Sequence, residues 1–317
     1  MDDIKFYAPV FIPTLCRYEH FKRCVESLAA CTHSEKTELI VGLDYPPSDK
    51  YKGGYEKIKN YIPTITGFTK VTLIQHEKNL GGLENWYYLE RYCNDHYPAY
   101  IGTEDDNEFS PCFLDFMNKA LQKYEYDDNV TTVSGYSDAI CYDQPGFNTY
   151  LCYANSAWGV GMWSHKENHI KSIITSNSYY IEKFLDAKIA YRFFKMFPAR
   201  FGAIVSMLLQ NKNWNDVKRS SYNYLSGKYQ LRPVLSLCRN HGYDGSGIHC
   251  SINTSYLEQE ISKEVVFNIE SKPAPPESEA CIKLYKSNGL PHSYIKTTYY
   301  KLLYLNNYLK FIHKFKK

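Results

Sequence analysis

The first 135 residues alternate between short apolar runs and segments whose apolar side chains recur at helical spacing. Residues 4–12 (IKFYAPVFI) are an apolar run ending at Pro13, which predicts a buried strand. RYEHFKRCVESLAAC then sets Phe21, Cys24, Val25, Leu28 and Cys31 on one helical face. Residues 37–43 (TELIVGL) predict a second buried strand, ended by Asp44 and the Pro46-Pro47 pair. A turn at Gly53-Gly54 and a helix over Tyr55–Tyr61 are expected next. Residues 70–75 (KVTLIQ) predict a third strand, and a Gly81-Gly82 turn leads into the helical LENWYYLERYC. Tyr97–Gly102 predicts a fourth strand, Pro111–Tyr124 a helix and Val130–Ser134 a further strand.

Such alternation with few long loops argues for an α/β fold, a mostly parallel central sheet flanked by helices. Ligands of such sheets bind outside the carboxyl ends of the strands. Asp44, His76–Asn79 and Glu104–Asn107 each follow a strand and are expected on one rim. The run Glu104-Asp105-Asp106 places three carboxylates at one strand end. That is electrostatically costly unless a cation neutralises them, and a hard divalent ion bridging to a diphosphate would do so. The plain alternative is a set of solvated acids leading a helix, favoured near its N-terminus.

Four segments in order resemble the nucleotide-sugar half of a GT-A-fold glycosyltransferase, closest to the inverting family-two group: PVFIPTLCRYEHFKRCVESL, ELIVGLDY, HEKNLGG and YIGTEDDNEFSPCFLDFM. The resemblance covers about residues 4–135 and implies a nucleotide site of Pro13, Thr14, Arg17, Asp44, Asn79, Gly82, Glu104 and Asp105. It puts Glu104 and Asp106 at the first and last positions of a DxD motif, with Glu in place of the usual first Asp. Asp106 is then the stronger ligand for Mn²⁺ or Mg²⁺.

In the second half, NSAWGVGMWSHKE suggests a close-packed turn, with Trp158, Gly159 and Trp163 beside a sugar; ordinary core packing of the two tryptophans is the alternative. LCRNHGYDGSGIHC resembles a loop of bacterial polysaccharide transferases. The likeness implies His249 as a metal ligand or diphosphate contact and Asp244 in the acceptor site; a surface-loop histidine is the alternative. Inverting transfer needs a carboxylate base. Asp216, in Asn213-Trp214-Asn215-Asp216, matches best, with Asp138 and Asp244 as rivals. A helix N-cap suits Asp216 equally.

Charge is unevenly spread. No acid follows Glu279 while eight lysines do, so the net +3 divides into a body of −5 and a tail of +8. This asymmetry points to an anionic surface and away from a general nucleic-acid grip. Leu302, Leu305, Leu309 and Ile312 recur at helical spacing, so residues 292–317 are expected either to lie on an anionic membrane or to dock on the body. Lys272-Pro273-Ala274-Pro275-Pro276 reads as a linker. The expected organisation is a nucleotide-sugar half (1–135), an acceptor half (136–270) and a basic helical tail (271–317).

The aromatic content of 16% excludes disorder for most of the chain, and no apolar run is long enough to span a membrane. With no export signal and no CxxC pair, the ten cysteines read as reduced thiols of a cytoplasmic protein at the inner face of the cell membrane. The expectation is an inverting, metal-dependent, hexosyltransferase-type glycosyltransferase. It would move a sugar from a nucleotide sugar, expected to be a UDP-sugar, to a saccharide or lipid-linked saccharide acceptor in surface polysaccharide biosynthesis. A catalytically silent carbohydrate-binding or scaffold protein of the same fold, or a sugar nucleotidyltransferase, is the alternative.

Overall fold

A computed structural model describes residues 4–212, 214–245, 254–263, 271–287 and 294–316. The first half runs β1 (Val10–Thr14), α1 (Tyr18–Ala29), β2 (Glu38–Leu43), α2 (Asp49–Tyr61), β3 (Lys70–Gln75), α3 (Gly82–His96), β4 (Ala99–Gly102), β5 (Asn107–Phe109), α4 (Phe113–Lys123) and β6 (Val130–Ser134). Next come β7 (Thr149–Cys152), β8 (Val160–Trp163) and the helices α5 (Ser164–Ile174), α6 (Asn177–Leu185), α7 (Ala187–Met196), α8 (Pro198–Gln210) and α9 (Asn215–Ser226). The chain closes with β9 (Tyr229–Pro233), β10 (Cys238–Asn240), α10 (Thr254–Leu257), α11 (Glu279–Ser287) and α12 (Tyr294–Phe315).

Eight strands form one sheet in the order β3-β2-β1-β4-β8-β6-β9-β7, and β10 and β5 form a separate two-stranded ribbon. The β3-β2-β1-β4 half is wholly parallel, whereas β8 runs antiparallel to both β4 and β6. The fold is therefore the expected α/β class, with a Rossmann-like, mostly parallel sheet, flanking helices and a C-terminal helix. β1 lies between β2 and β4, with Val10 opposite both Leu39 and Ile101. That register brings Thr14, Asp44 and the Glu104–Asp106 turn to one rim.

Helix α1 explains how the local pattern becomes packing. Its Phe21, Cys24, Val25 and Leu28 are buried in the core shared with Ile12, Val41 and Phe113. Burying each large apolar side chain stabilises by roughly 1.5–3 kcal/mol. A second core lies under the helical layer, where Tyr180, Phe184, Phe193, Phe197 and Phe201 meet Phe311 of α12.

Two expectations change, and one of the two alternatives for the last helix is seen. Gly53 and Gly54 sit inside α2 and make no turn, because a Cβ on Gly54 would lie 2.0 Å from the carbonyl oxygen of Cys16. The glycine there is a point of close helix-to-loop approach. The Pro-rich stretch at 272–276 is pinned to the sheet edge: Ala274 bridges Tyr150, donates to the Thr149 carbonyl and accepts from the Leu151 amide. Finally, α12 does dock, through Tyr304, Tyr308 and Phe311, but Leu302, Leu305 and Leu309 remain 64, 57 and 68% exposed. No described helix is long and apolar enough to cross a membrane. The nine described cysteines are all free.

Candidate active site at the carboxyl rim of the sheet

The acids after β4 are tied to the loop after β1. Thr14 Oγ1 donates to Asp105 Oδ2 at 2.8 Å, and the Arg17 guanidinium pairs with both Asp105 and Asp106, at 2.9 Å from Asp106 Oδ2. Burial lifts the Asp105 carboxyl above its ordinary range; Arg17 draws it back and Asp106 pushes it further. Glu104 is raised more, to about 8, first by burial and then by Asp106, Asp216 and Asp105. One guanidinium against three clustered carboxylates leaves excess negative charge at this rim.

Asp106 is also gripped from the ribbon. Asn240 Nδ2 donates to Asp106 Oδ1 at 2.8 Å, and the Asp106 carbonyl accepts from the His241 amide. A Cβ on Gly242 would stand 2.2 Å from Asp106 Oδ2, so only glycine allows the loop this close. Next to it, His241 Nε2 lies 2.6 Å from Glu108 Oε2, and that contact together with Arg239 lowers Glu108 to about 2.

Several expected nucleotide contacts have other employment. Asp44 is 2% exposed and accepts from the amides of Tyr45, Leu80 and Gly81 and from Asn79 Nδ2 at 2.8–3.0 Å. Asn79 also donates to the Tyr45 carbonyl. These bonds fix the turn that starts α3 at Gly82, and they occupy the carboxylate that was expected to face a nucleoside. Pro13 lies within β1, half-buried one residue before Thr14.

The two tryptophans separate. Trp158 reaches the site: its Nε1 donates to Glu104 Oε2 at 3.0 Å, and Tyr136, Tyr243 and Tyr256 stand edge-on around its ring. Trp163 does not. It is 2% exposed, donates to the Leu121 carbonyl at 2.9 Å and carries Lys166 Nζ over its ring. As a core side chain it offers no face to a sugar, which corrects that expectation. Gly159, with φ at +62°, packs on Phe113 and likewise serves the turn.

Among the candidate bases, Asp138 is the counter-ion of Arg232 at 2.9 Å, in a network with Gln230 and the Ala154 carbonyl. Asp244 pairs with His20 at 3.1 Å and lines a cavity of about 910 Å³ with Arg17, Arg23, Lys57 and His241, on the α1–α2 side. Asp216, the second residue of α9, keeps an accessible side chain that makes no hydrogen bond among the described residues. Protein crowding lifts its carboxyl above the ordinary range, opposed by Arg200 and Arg219, and its charge reaches Glu104. His249 lies outside the described residues.

A divalent ion can be tested against this donor set. No three described His, Cys, Asp or Glu side chains are gathered so as to hold an ion by themselves. Hard oxygen donors with excess negative charge do fit an ion that takes few protein ligands and completes its shell with diphosphate oxygens and water. The residues that sequence reasoning passed over are Asn240, Gly242, Arg200 and Arg219. Asn240 and Gly242 lay inside the glycine-rich segment already singled out, whereas nothing local marked the two arginines.

No protein-family model matches this chain, and no curated protein matches it in sequence. Solved structures similar in part include the mannosyltransferase PcManGT from Pyrobaculum calidifontis in complex with GDP-Man and Mn²⁺, at 13% identity and a TM-score of 0.38 over 53% of this chain and 48% of that one. Another is S. aureus TarS, at 13% identity and TM-score 0.35 over 52% of this chain and 29% of that chain. A third is mouse xyloside xylosyltransferase 1 in its apo form, at 8% identity and TM-score 0.34 over 56% and 74%. The aligned part thus spans about half or less of the first two proteins. Overlap of that extent carries no functional argument, which rests on the site itself.

Proposed function

We propose that this chain is an inverting, metal-dependent glycosyltransferase that moves a sugar from a nucleotide sugar, with a UDP-sugar as the expected donor, to a saccharide acceptor. The observation that carries the reading is the carboxylate triplet Glu104-Asp105-Asp106, held by Thr14, Arg17 and Asn240 at the carboxyl rim of a parallel sheet.

Asp106 and Glu104 are the residues that would hold Mn²⁺ or Mg²⁺, and the ion would supply positive charge for a departing diphosphate. Thr14 and Arg17 keep Asp105 and Asp106 oriented, and the Asp44-braced turn shapes the rim. Trp158 offers a partly exposed aromatic wall beside Glu104. Asp216 takes the acceptor hydroxyl proton as that oxygen attacks the anomeric carbon; the anomeric bond to the diphosphate breaks and the nucleotide leaves. Its raised proton affinity, and a side chain that makes no hydrogen bond among the described residues, suit that task.

The exposed leucine stripe of α12, with exposed Lys310, Lys314 and Lys316, supports a peripheral position on an anionic membrane. A lipid-linked saccharide at the inner leaflet, on the way to a surface polysaccharide, is the acceptor that would fit.

The test is thermal shift with Mn²⁺ plus UDP, GDP or dTDP, since a ligand of the native state alone raises apparent stability. One nucleotide should shift the transition, and no shift with any sinks the reading. With the donor known, Asp106→Ala should abolish turnover in a folded protein, and NMR of the product should show an inverted anomeric centre.

A further inference from the structure

We infer that the acceptor carries an anionic group, a carboxylate or a phosphate, that seats against Arg200 and Arg219 beside Asp216. This rests on the transferase reading for the role of Asp216, while the anion site itself stands on the geometry of α8 and α9.

Asp216 and Arg219 are three residues apart on α9 and therefore share a helix face. Arg200 lies in the first turn of α8, the helix packed against α9. Nη1 of Arg200 is buried and meets no hydrogen-bond partner, and the same is true of Nη1 of Arg219. Arg219 uses its other terminal nitrogen on Glu167, and Glu90 takes Lys171 at 2.9 Å. Those acids and cations balance one another. Arg200 has no ion pair among the described residues and only the Phe197 ring as a near aromatic neighbour, with 5.5 Å to its centroid.

A guanidinium carries five donors and no acceptor, and a buried donor left without an acceptor forfeits the hydration it had in water. Two such donors, on arginines whose charges both act on the candidate base, are an unfilled demand for oxygen acceptors. The start of α8 adds the positive end of a helix dipole at Arg200. Planar, forked donors suit carboxylate and phosphate oxygens. A neutral hydroxyl could meet one donor but would leave the charge unbalanced once Asp216 takes a proton. The same arrangement gives selectivity, because an acceptor lacking the anion leaves buried donors unpaired.

The test is equilibrium binding of three disaccharides with one ring skeleton: a neutral one, its C6 uronate and its 6-phosphate. Either charged probe should bind at least about tenfold tighter than the neutral one, with the preference reduced by salt. Which charged probe binds tighter identifies the source of the anion. Arg200→Gln should erase the preference, and Arg200→Lys should restore part of it. Equal binding of all three probes by the native protein overturns the inference, as does a preference retained in a folded Arg200→Gln protein. Preference for a charged probe with no nucleotide shift would sink the transferase reading and leave the anion site standing; a nucleotide shift without that preference does the reverse.

Discussion

The Trp158 indole donates its Nε1 hydrogen to Glu104 Oε2 at 3.0 Å, so the aromatic wall of the cleft and the first acid of the triplet are one unit. Residues more than fifty positions apart thereby share one task. A hydrogen bond between uncharged groups contributes roughly 0.5–1.5 kcal/mol to stability. Trp158→Phe keeps an aromatic face and removes the donor. It should lower kcat/KM by up to about tenfold and stability by no more than about 1.5 kcal/mol, as measured by donor turnover and a melting curve.

The triplet should make stability depend on pH. The Glu104 carboxyl is raised to about 8, whereas in an unfolded chain it titrates near 4.3. The folded state thus holds the proton more tightly, and its contribution is full below about 4.3 and is lost as pH rises towards 8. Melting temperature without metal should fall across that window. Glu104→Gln should flatten the fall, leaving the smaller slope from the other raised carboxyls, Asp105, Asp216 and Glu90, the last raised to about 7. Superimposable native and Glu104→Gln profiles would contradict the assignment.

Arg17 neutralises Asp105 and Asp106 from a partly buried position. Removing one partner of such a cluster strands the others, at a cost of roughly 3–5 kcal/mol. Arg17→Met should therefore lower the melting temperature by several degrees at neutral pH, and part of the loss should return in acid as the carboxylates protonate. Equal losses at pH 5 and pH 8 would show that Arg17 acts through packing alone.

Gly242→Ala should displace Asp106, since the added carbon would stand 2.2 Å from Oδ2. The expected result is a folded protein whose melting transition no longer responds to Mn²⁺ with nucleotide. A native-like response would mean that the loop yields without moving the carboxylate.

The two faces of α12 should behave differently. Phe311 is fully buried, and Phe311→Ala should cost about 3–5 kcal/mol. Leu302, Leu305 and Leu309 are exposed, so changing all three to Ser should leave the melting curve within about 0.5 kcal/mol per site. The triple change should instead reduce sedimentation with phosphatidylserine vesicles. Unchanged sedimentation would remove the membrane role from this face.

The strands of the first half were legible because their signal is local: Lys70–Gln75 and Val130–Ser134 fall where the apolar runs place them. The rim acids were legible for the same reason, since each follows a strand in sequence. Gly54 was misread because turn chemistry and close approach both select glycine, and only the position of the Cys16 carbonyl tells them apart. Trp158 and Trp163 were indistinguishable in the six-residue stretch WGVGMW. Their fates depend on Glu104 and Leu121, which folding brings up from elsewhere in the chain.

Neighbouring residues were enough to specify the α/β architecture and the strand ends at which the carboxylates gather, because periodicity and strand termination are local properties. Tertiary structure alone decided which carboxylates remain available. Asp44 is occupied by the turn before α3 and Asp138 by Arg232, while Asp216 makes no side-chain hydrogen bond among the described residues near Arg200 and Arg219. Those outcomes depend on partners supplied by other segments of the chain, and no local pattern records which charges packing will bring together.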